Sequence, residues 1–133
     1  MTLETLLSKN SYKQATEVLE ERVKEYASKI CTKMRELDIE KITSIKGMTL
    51  SVEKISVPCG YDYILCIDGD SLTCINENKT YSSKQGYYTI QGATHAEALC
   101  FVRYIRDIID YLAQEETTKT KEIITALEEA KDL

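Results

Sequence analysis

The sequence predicts an α+β domain: a long N-terminal helix, a three- to four-stranded antiparallel sheet, then two C-terminal helices packed on one sheet face. Two features carry that expectation. Apolar residues in roughly the first and last 40 positions recur at steps of three and four, whereas those between about 48 and 90 alternate. The 133 residues are 43% hydrophobic with one Pro and five Gly, enough apolar material for one core, so residues 1–133 are expected to form a single domain.

The first helix is expected from Ser11 to Leu37, because Tyr12, Ala15, Leu19, Val23, Tyr26, Ile30, Met34 and Leu37 form one stripe. Ser11 with Gln14 three residues on reads as a capping box, and a short helix around Leu3–Ser8 precedes it. Met48, Leu50 and Val52 then alternate with polar residues, and the phase shifts at Glu53-Lys54, which indicates a bulge or a break. Pro58-Cys59-Gly60 reads as a turn, Tyr61 to Ile67 as a strand, Asp68-Gly69-Asp70 as a second turn, and Leu72 to Ile75 as a third strand. A polar loop from Asn76 to Gly86 leads into a short strand at Tyr87–Ile90. Thr94 and Glu97 make another capping box, for a helix to about Gln114, and Thr117 or Thr118 is expected to cap a last helix carrying Ile123, Ile124, Leu127 and Ala130. The helix from Thr94 and the first helix together carry more apolar surface than one sheet face covers, so a homodimer through helices is expected.

Charge and motifs narrow the function. Seventeen basic against 22 acidic residues give a net charge of −5, and residues 92–133 hold nine acids against five bases, four of those five charges. No stretch approaches the roughly 18 apolar residues of a membrane span, and an acid stands in the short apolar start where a signal peptide has bases. The five cysteines, at 31, 59, 66, 74 and 100, are expected to be reduced, packed thiols in the cytoplasm. A metal site from Cys59, Cys66, Cys74 and His95 would lack the Cys-x2-4-Cys knuckle that opens a zinc site, so no metal or cofactor is expected. Asp68-x-Asp70 starts like a calcium loop, but Leu72 and Thr73 stand where a ligand and the glycine belong. No phosphate-binding glycine loop or catalytic signature occurs, and the one histidine, His95, opens a helix where the dipole disfavours its charged form. An enzyme is not expected.

The strand order matches that of the double-stranded-RNA-binding fold, but the segment Gly92-Ala-Thr-His-Ala-Glu97 has no lysine to meet phosphate. Direct nucleic-acid binding is not expected. Two surfaces remain. The acids Asp107, Asp110, Glu115 and Glu116 concentrate negative charge suited to a basic surface on a partner. The 76–88 loop, with Lys79, Tyr81, Lys84, Tyr87 and Tyr88, places bases among tyrosines and could hold a nucleotide or a single strand, alone or with Arg103 and Arg106. Pairing of those arginines with Asp107 or Asp110 on their own helix is the plainer reading.

The segment Gly92-Ala93-Thr94-His95-Ala96-Glu97-Ala98-Leu99-Cys100-Phe101 resembles the Gly-x-Thr-x-x-Glu-Ala-x-x-Phe strand-to-helix passage of small phage-encoded proteins. Size, acidity and the lack of catalytic motifs are similar to anti-defence proteins of the anti-CRISPR type. The resemblance spans these ten residues and transfers no site residue. It implies a small acidic inhibitor or regulator in the cytoplasm of a bacterial host, binding a larger nucleic-acid-handling or defence protein with a basic surface. The alternative is a nucleotide or single-strand binding module built on the 76–88 loop.

Overall fold

The structure, a computed structural model, describes residues 1–59, 63–69, 71–76, 88–90 and 95–131. Helices α1 (Leu3–Ser8) and α2 (Ser11–Glu36) lead into strands β1 (Lys41–Ile42), β2 (Thr49–Ser51), β3 (Lys54–Cys59), β4 (Tyr63–Asp68), β5 (Ser71–Asn76) and β6 (Tyr88–Ile90), and helix α3 (His95–Ala130) follows. The six strands form one antiparallel sheet in chain order, each paired with its neighbours in sequence. The α+β class, the long first helix and the antiparallel meander are as the sequence predicts. The strand and helix counts differ.

Local chemistry sets the helix ends. Thr2 caps α1, its Oγ1 accepting from the Thr5 N–H at 3.2 Å. At α2 the capping position is Asn10, one residue before the expected Ser11, and the expected capping box does not form. The end of α2 is a Schellman motif: the Ile39 N–H donates to Met34 O at 2.9 Å and the Asp38 N–H to Arg35 O at 3.2 Å. Asp38 takes the left-handed conformation there (φ 55°), which Asp tolerates better than most residues.

Three hairpins order the sheet. Lys46 and Gly47 both have positive φ (43° and 79°), and the Met48 N–H donates to Ile45 O at 2.8 Å, a type I′ turn joining β1 to β2. The phase shift at Glu53-Lys54 is a reversal of the chain: Ser51 Oγ accepts from Lys54 N–H and donates to Lys54 O, both at 3.0 Å, and closes the β2–β3 hairpin. Between β4 and β5 the register pairs Asp68 with Ser71, leaving a two-residue turn in which Gly69 has φ 59°. The expected turn at Pro58-Cys59 is instead strand, with Pro58 opposite Ile64 and Cys59 opposite Tyr63. A proline is tolerated because β2 pairs β3 only at Ile55 and Ser56. Beyond that, the residue beside Pro58 is Gly47, where an added Cβ would lie 3.5 Å from the proline ring.

Cross-strand rows build the inner sheet face: Ile55–Ile67–Leu72 and Val57–Leu65–Cys74 are all buried. All of them but Cys74 share one cluster with Val23, Ala27, Ile30 and Met34 of α2 and with Ala98, Phe101, Ile108 and Leu112 of α3. The two helices run parallel. Tyr12 meets His95 at one end and Lys33 meets Glu116 at the other, both separated by 83 residues.

The two C-terminal helices expected from the sequence are one. No Gly or Pro interrupts residues 93–133, and Thr117 and Thr120 donate their hydroxyls to Ala113 O (3.0 Å) and Glu116 O (2.7 Å) rather than capping a new helix. Since α2 ends at Glu36, level with Lys119, α3 continues about 17 Å beyond its partner. Every residue from 120 to 131 is exposed, including the Ile123, Ile124 and Leu127 that the sequence reading placed on a packed helix.

This division of α3 predicts an unequal response to truncation. Phe101→Ala, at a fully buried position, should cost about 3–5 kcal/mol. Ile123→Ala, at a 61% exposed position, should cost under about 0.5 kcal/mol. Urea unfolding monitored by circular dichroism measures both.

Candidate interaction surfaces

The four acids singled out in the sequence all lie on α3, but the helix separates them. Asp107 turns toward the β1–β2 turn, where Lys46 Nζ lies 3.2 Å from its carboxylate and 5.7 Å from the centre of the Tyr104 ring. Glu116 turns the other way and accepts from Lys33 Nζ of α2 at 3.0 Å. Asp110 pairs with Arg106 at 3.5 Å on the outer face, where the two side chains are 65% and 82% exposed. Glu115, a helical step of about 100° from Glu116, makes no ion pair among the described residues. Lys46 and Lys33 thus tie α3 to the hairpin and to α2, and two of the acids serve that attachment. The third pair is the same-helix pairing expected for one of the two arginines, while Arg103 is exposed.

Between α2 and α3 an open groove of about 270 Å³ has Ile30, Ile109, Leu112 and Ala113 at its base and Lys29, Lys33 and Glu116 on its rim. Ile109 is 48% exposed there, three residues from Leu112 and one from Asp110. An apolar floor with charges of both signs around it suits a protein surface better than a small anion. Lys33 is held charged above the usual lysine range by its bond to Glu116. A second concavity of about 370 Å³ lies between α2 and the β2–β3 and β4–β5 turns, lined by Cys31, Arg35, Glu53 and Asp68 among others. Arg35 is spent there on a backbone contact, donating to Val52 O at 2.8 Å.

Lys79, Tyr81, Lys84 and Tyr87 of the proposed ligand loop lie outside the described residues, as do Asn78, Asp70 and the expected cap Thr94. Tyr88 is placed as the first residue of β6, opposite Asn76. His95 stands at the start of α3, exposed, with its Nδ1 hydrogen-bonded to the Tyr12 hydroxyl and its ring edge-on to the Tyr12 ring at 5.3 Å.

The thiols do not converge on a metal. All five are free. Cys66 and Cys74 are neighbours on β4 and β5, but the register pairs Cys66 with Thr73 and Leu65 with Cys74, so their side chains point to opposite faces. Among the described residues no group of three His, Cys, Asp or Glu is placed to hold an ion. Cys59 Sγ–H donates to Val57 O of its own strand (3.3 Å) with Glu97 O 3.9 Å away, and Cys100 Sγ–H donates to Pro58 O (3.4 Å), which fastens the end of β3 to the start of α3. Burial, with the Cys100 thiol beside it, pushes the Cys59 thiol up to about 12. Burial and then the Glu97 carboxylate push Cys74 up to about 11. Burial also raises Cys31. These are protonated packing groups, the reverse of the thiolate a nucleophile needs.

What the sequence reading missed is the free end of α3. The signal was present as an unbroken helical stretch without Gly or Pro, but its apolar residues resemble those of a core-facing helix.

The thiols predict an alkaline limit to stability. Unfolded cysteines lose their protons near pH 9.0, while folded Cys74 and Cys59 keep theirs to about 11 and about 12. Above pH 9 the unfolded state therefore holds fewer protons, and stability falls as pH rises. The melting temperature should fall from about pH 9 to pH 11, and Cys74→Ala should flatten that fall although it lowers the plateau. Differential scanning fluorimetry across this range measures both slopes.

No family model matches the chain, and neither a curated protein nor a solved structure shows significant similarity to it, so no relative's activity bears on these surfaces.

Proposed function

We propose that the chain is a small, non-enzymatic interaction protein that binds a larger protein carrying a basic surface, as an inhibitor or regulator of the anti-CRISPR type does. The observation that carries this reading is the outer face of α3. There Ile109 is half exposed above the α2–α3 groove with the exposed Asp110 beside it, and Glu115, on another side of the helix, is the other acid of the four not paired with a neighbouring element. An apolar centre with an exposed acid beside it suits docking to a basic partner: desolvation of the centre holds the complex and the acid steers encounter. The state of the thiols supports a non-enzymatic role, since burial keeps them protonated. The reading places the protein in the cytoplasm of a bacterial host, and no helix of the described residues is long and apolar enough to cross a membrane. The nucleotide-binding alternative rests on the 76–88 loop, to which the described residues add no observation in its favour.

Charge reversal at these two acids tests the proposal. Asp110→Lys with Glu115→Lys changes the net charge by four, from −5 to −1, and leaves the Lys33–Glu116 and Lys46–Asp107 pairs in place. The double variant should fold with its melting temperature within a few degrees of the parent, since both side chains are at the surface. Captured from a bacterial lysate at low salt, the parent chain should retain a partner that the variant loses, and high salt should weaken retention by the parent. Equal retention of the same protein by both chains would remove the two acids from the contact.

A further inference from the structure

We infer that the free end of α3 is a self-recognition element: two copies of the chain pair there through antiparallel α3 ends, independently of the partner surface proposed above. Among the described residues the helix has no neighbour from Thr120 onward, and Ile123, Ile124 and Leu127 are 61%, 50% and 65% exposed. Spaced at three and four residues, they form one stripe on the free helix. The stripe alone would not say what covers it. The charges beside it do.

Lys121 and Glu128 are seven residues apart, two turns, and so lie on the same flank of the stripe. A two-fold axis perpendicular to the helix brings that flank of one copy against the same flank of the other with its direction reversed. With the axis beside Ile124, Lys121 of each copy meets Glu128 of the other, and Ile123 packs on Ile124 across the axis. Parallel pairing would instead bring that flank against the opposite flank of the other copy, where Ala126 and Ala130 offer no counter-charge. Neither Lys121 nor Glu128 has an ion-pair partner among the described residues of its own copy. The pattern is therefore self-complementary in one orientation only, which is the requirement of an isologous dimer.

Size fixes the strength. The overlap extends about 17 Å along the helix, or about 11 residues of each copy, well short of the roughly 20–30 residues a side of a standard stable interface. The dimer is accordingly weak and concentration-dependent, with dissociation in the range of tens to hundreds of micromolar, on the order expected of transient contacts.

Sedimentation equilibrium of the full chain from about 10 μM to 1 mM tests this, in a range set by the expected affinity. The parent should pass from 15.2 kDa toward twice that mass. Lys121→Glu and Glu128→Lys should each weaken association about tenfold, because each replaces two attractive pairs by two repulsive ones. The double variant Lys121→Glu/Glu128→Lys should restore parental association, which no loss of folding could mimic. Leu127→Asp should abolish association with the circular dichroism melt unchanged. A parent that stays monomeric to 1 mM overturns the inference, and so does a charge swap that fails to rescue or association that survives Leu127→Asp. Loss of partner capture by the Asp110→Lys/Glu115→Lys variant with self-association intact would separate the two surfaces.

Discussion

The parallel α2–α3 pair over the sheet is the contact on which the rest of the structure depends. The sheet alone presents two buried rows, Ile55–Ile67–Leu72 and Val57–Leu65–Cys74, on a single face, and that face needs a cover. Phe101, Ile108 and Leu112 of α3 and Val23, Ala27, Ile30 and Met34 of α2 supply it from two elements separated by the whole sheet in sequence. The polar groups at the edge of this cluster act as fasteners. Lys33–Glu116, Lys46–Asp107 and the Cys100 thiol contact to β3 each bind α3 to a different neighbour. Individually such exposed pairs contribute little, under about 1 kcal/mol, but together they fix the rotation of α3 about its axis. That rotation decides that Ile109 and Asp110 face outward.

The acidic character of the C-terminal zone looks different on the folded molecule than along the chain. Asp107, Asp110, Glu115 and Glu116 lie within ten positions, yet a 3.6-residue repeat distributes them around the helix. Asp107 and Glu116 take structural lysines. A run of like charge in sequence is a patch only when its spacing keeps it on one face, and 107, 110, 115 and 116 do not. The docking surface proposed above rests on the half-exposed Ile109 with Asp110 beside it.

Periodicity made the long elements legible, and local chemistry limited the rest. The α2 stripe and the alternation through β4 and β5 state their type directly, because every third or fourth, or every second, residue meets the same core. The β1 strand, two residues long, is too short for any period to register, and Pro58 argued for a turn because nothing in the sequence reveals that β2 stops short of it. The threonines of α3 argued for a new cap, since a hydroxyl bonding its own i−4 carbonyl uses the same residue type as a capping hydroxyl. The dispersal of the four acids follows from helical geometry once α3 is one helix. Which acids have lysine partners depends on α2 and the β1–β2 turn and could not be read from α3 alone.

The nearest-neighbour order of the strands has a kinetic meaning. Every strand pairs only with those adjacent in the chain, so the sheet can assemble hairpin by hairpin with short loops to close. The helix pair is the opposite: its contacts join residues 83 apart and need α3 to exist. As the chain emerges during synthesis, α2 and a nascent sheet would hold Val23, Ile30 and Met34 uncovered until residues beyond 101 arrive. The other faces of α2 carry dense charge, with Glu20–Lys24, Glu25–Lys29 and Lys33–Glu36 pairs, and would stay hydrated during that interval.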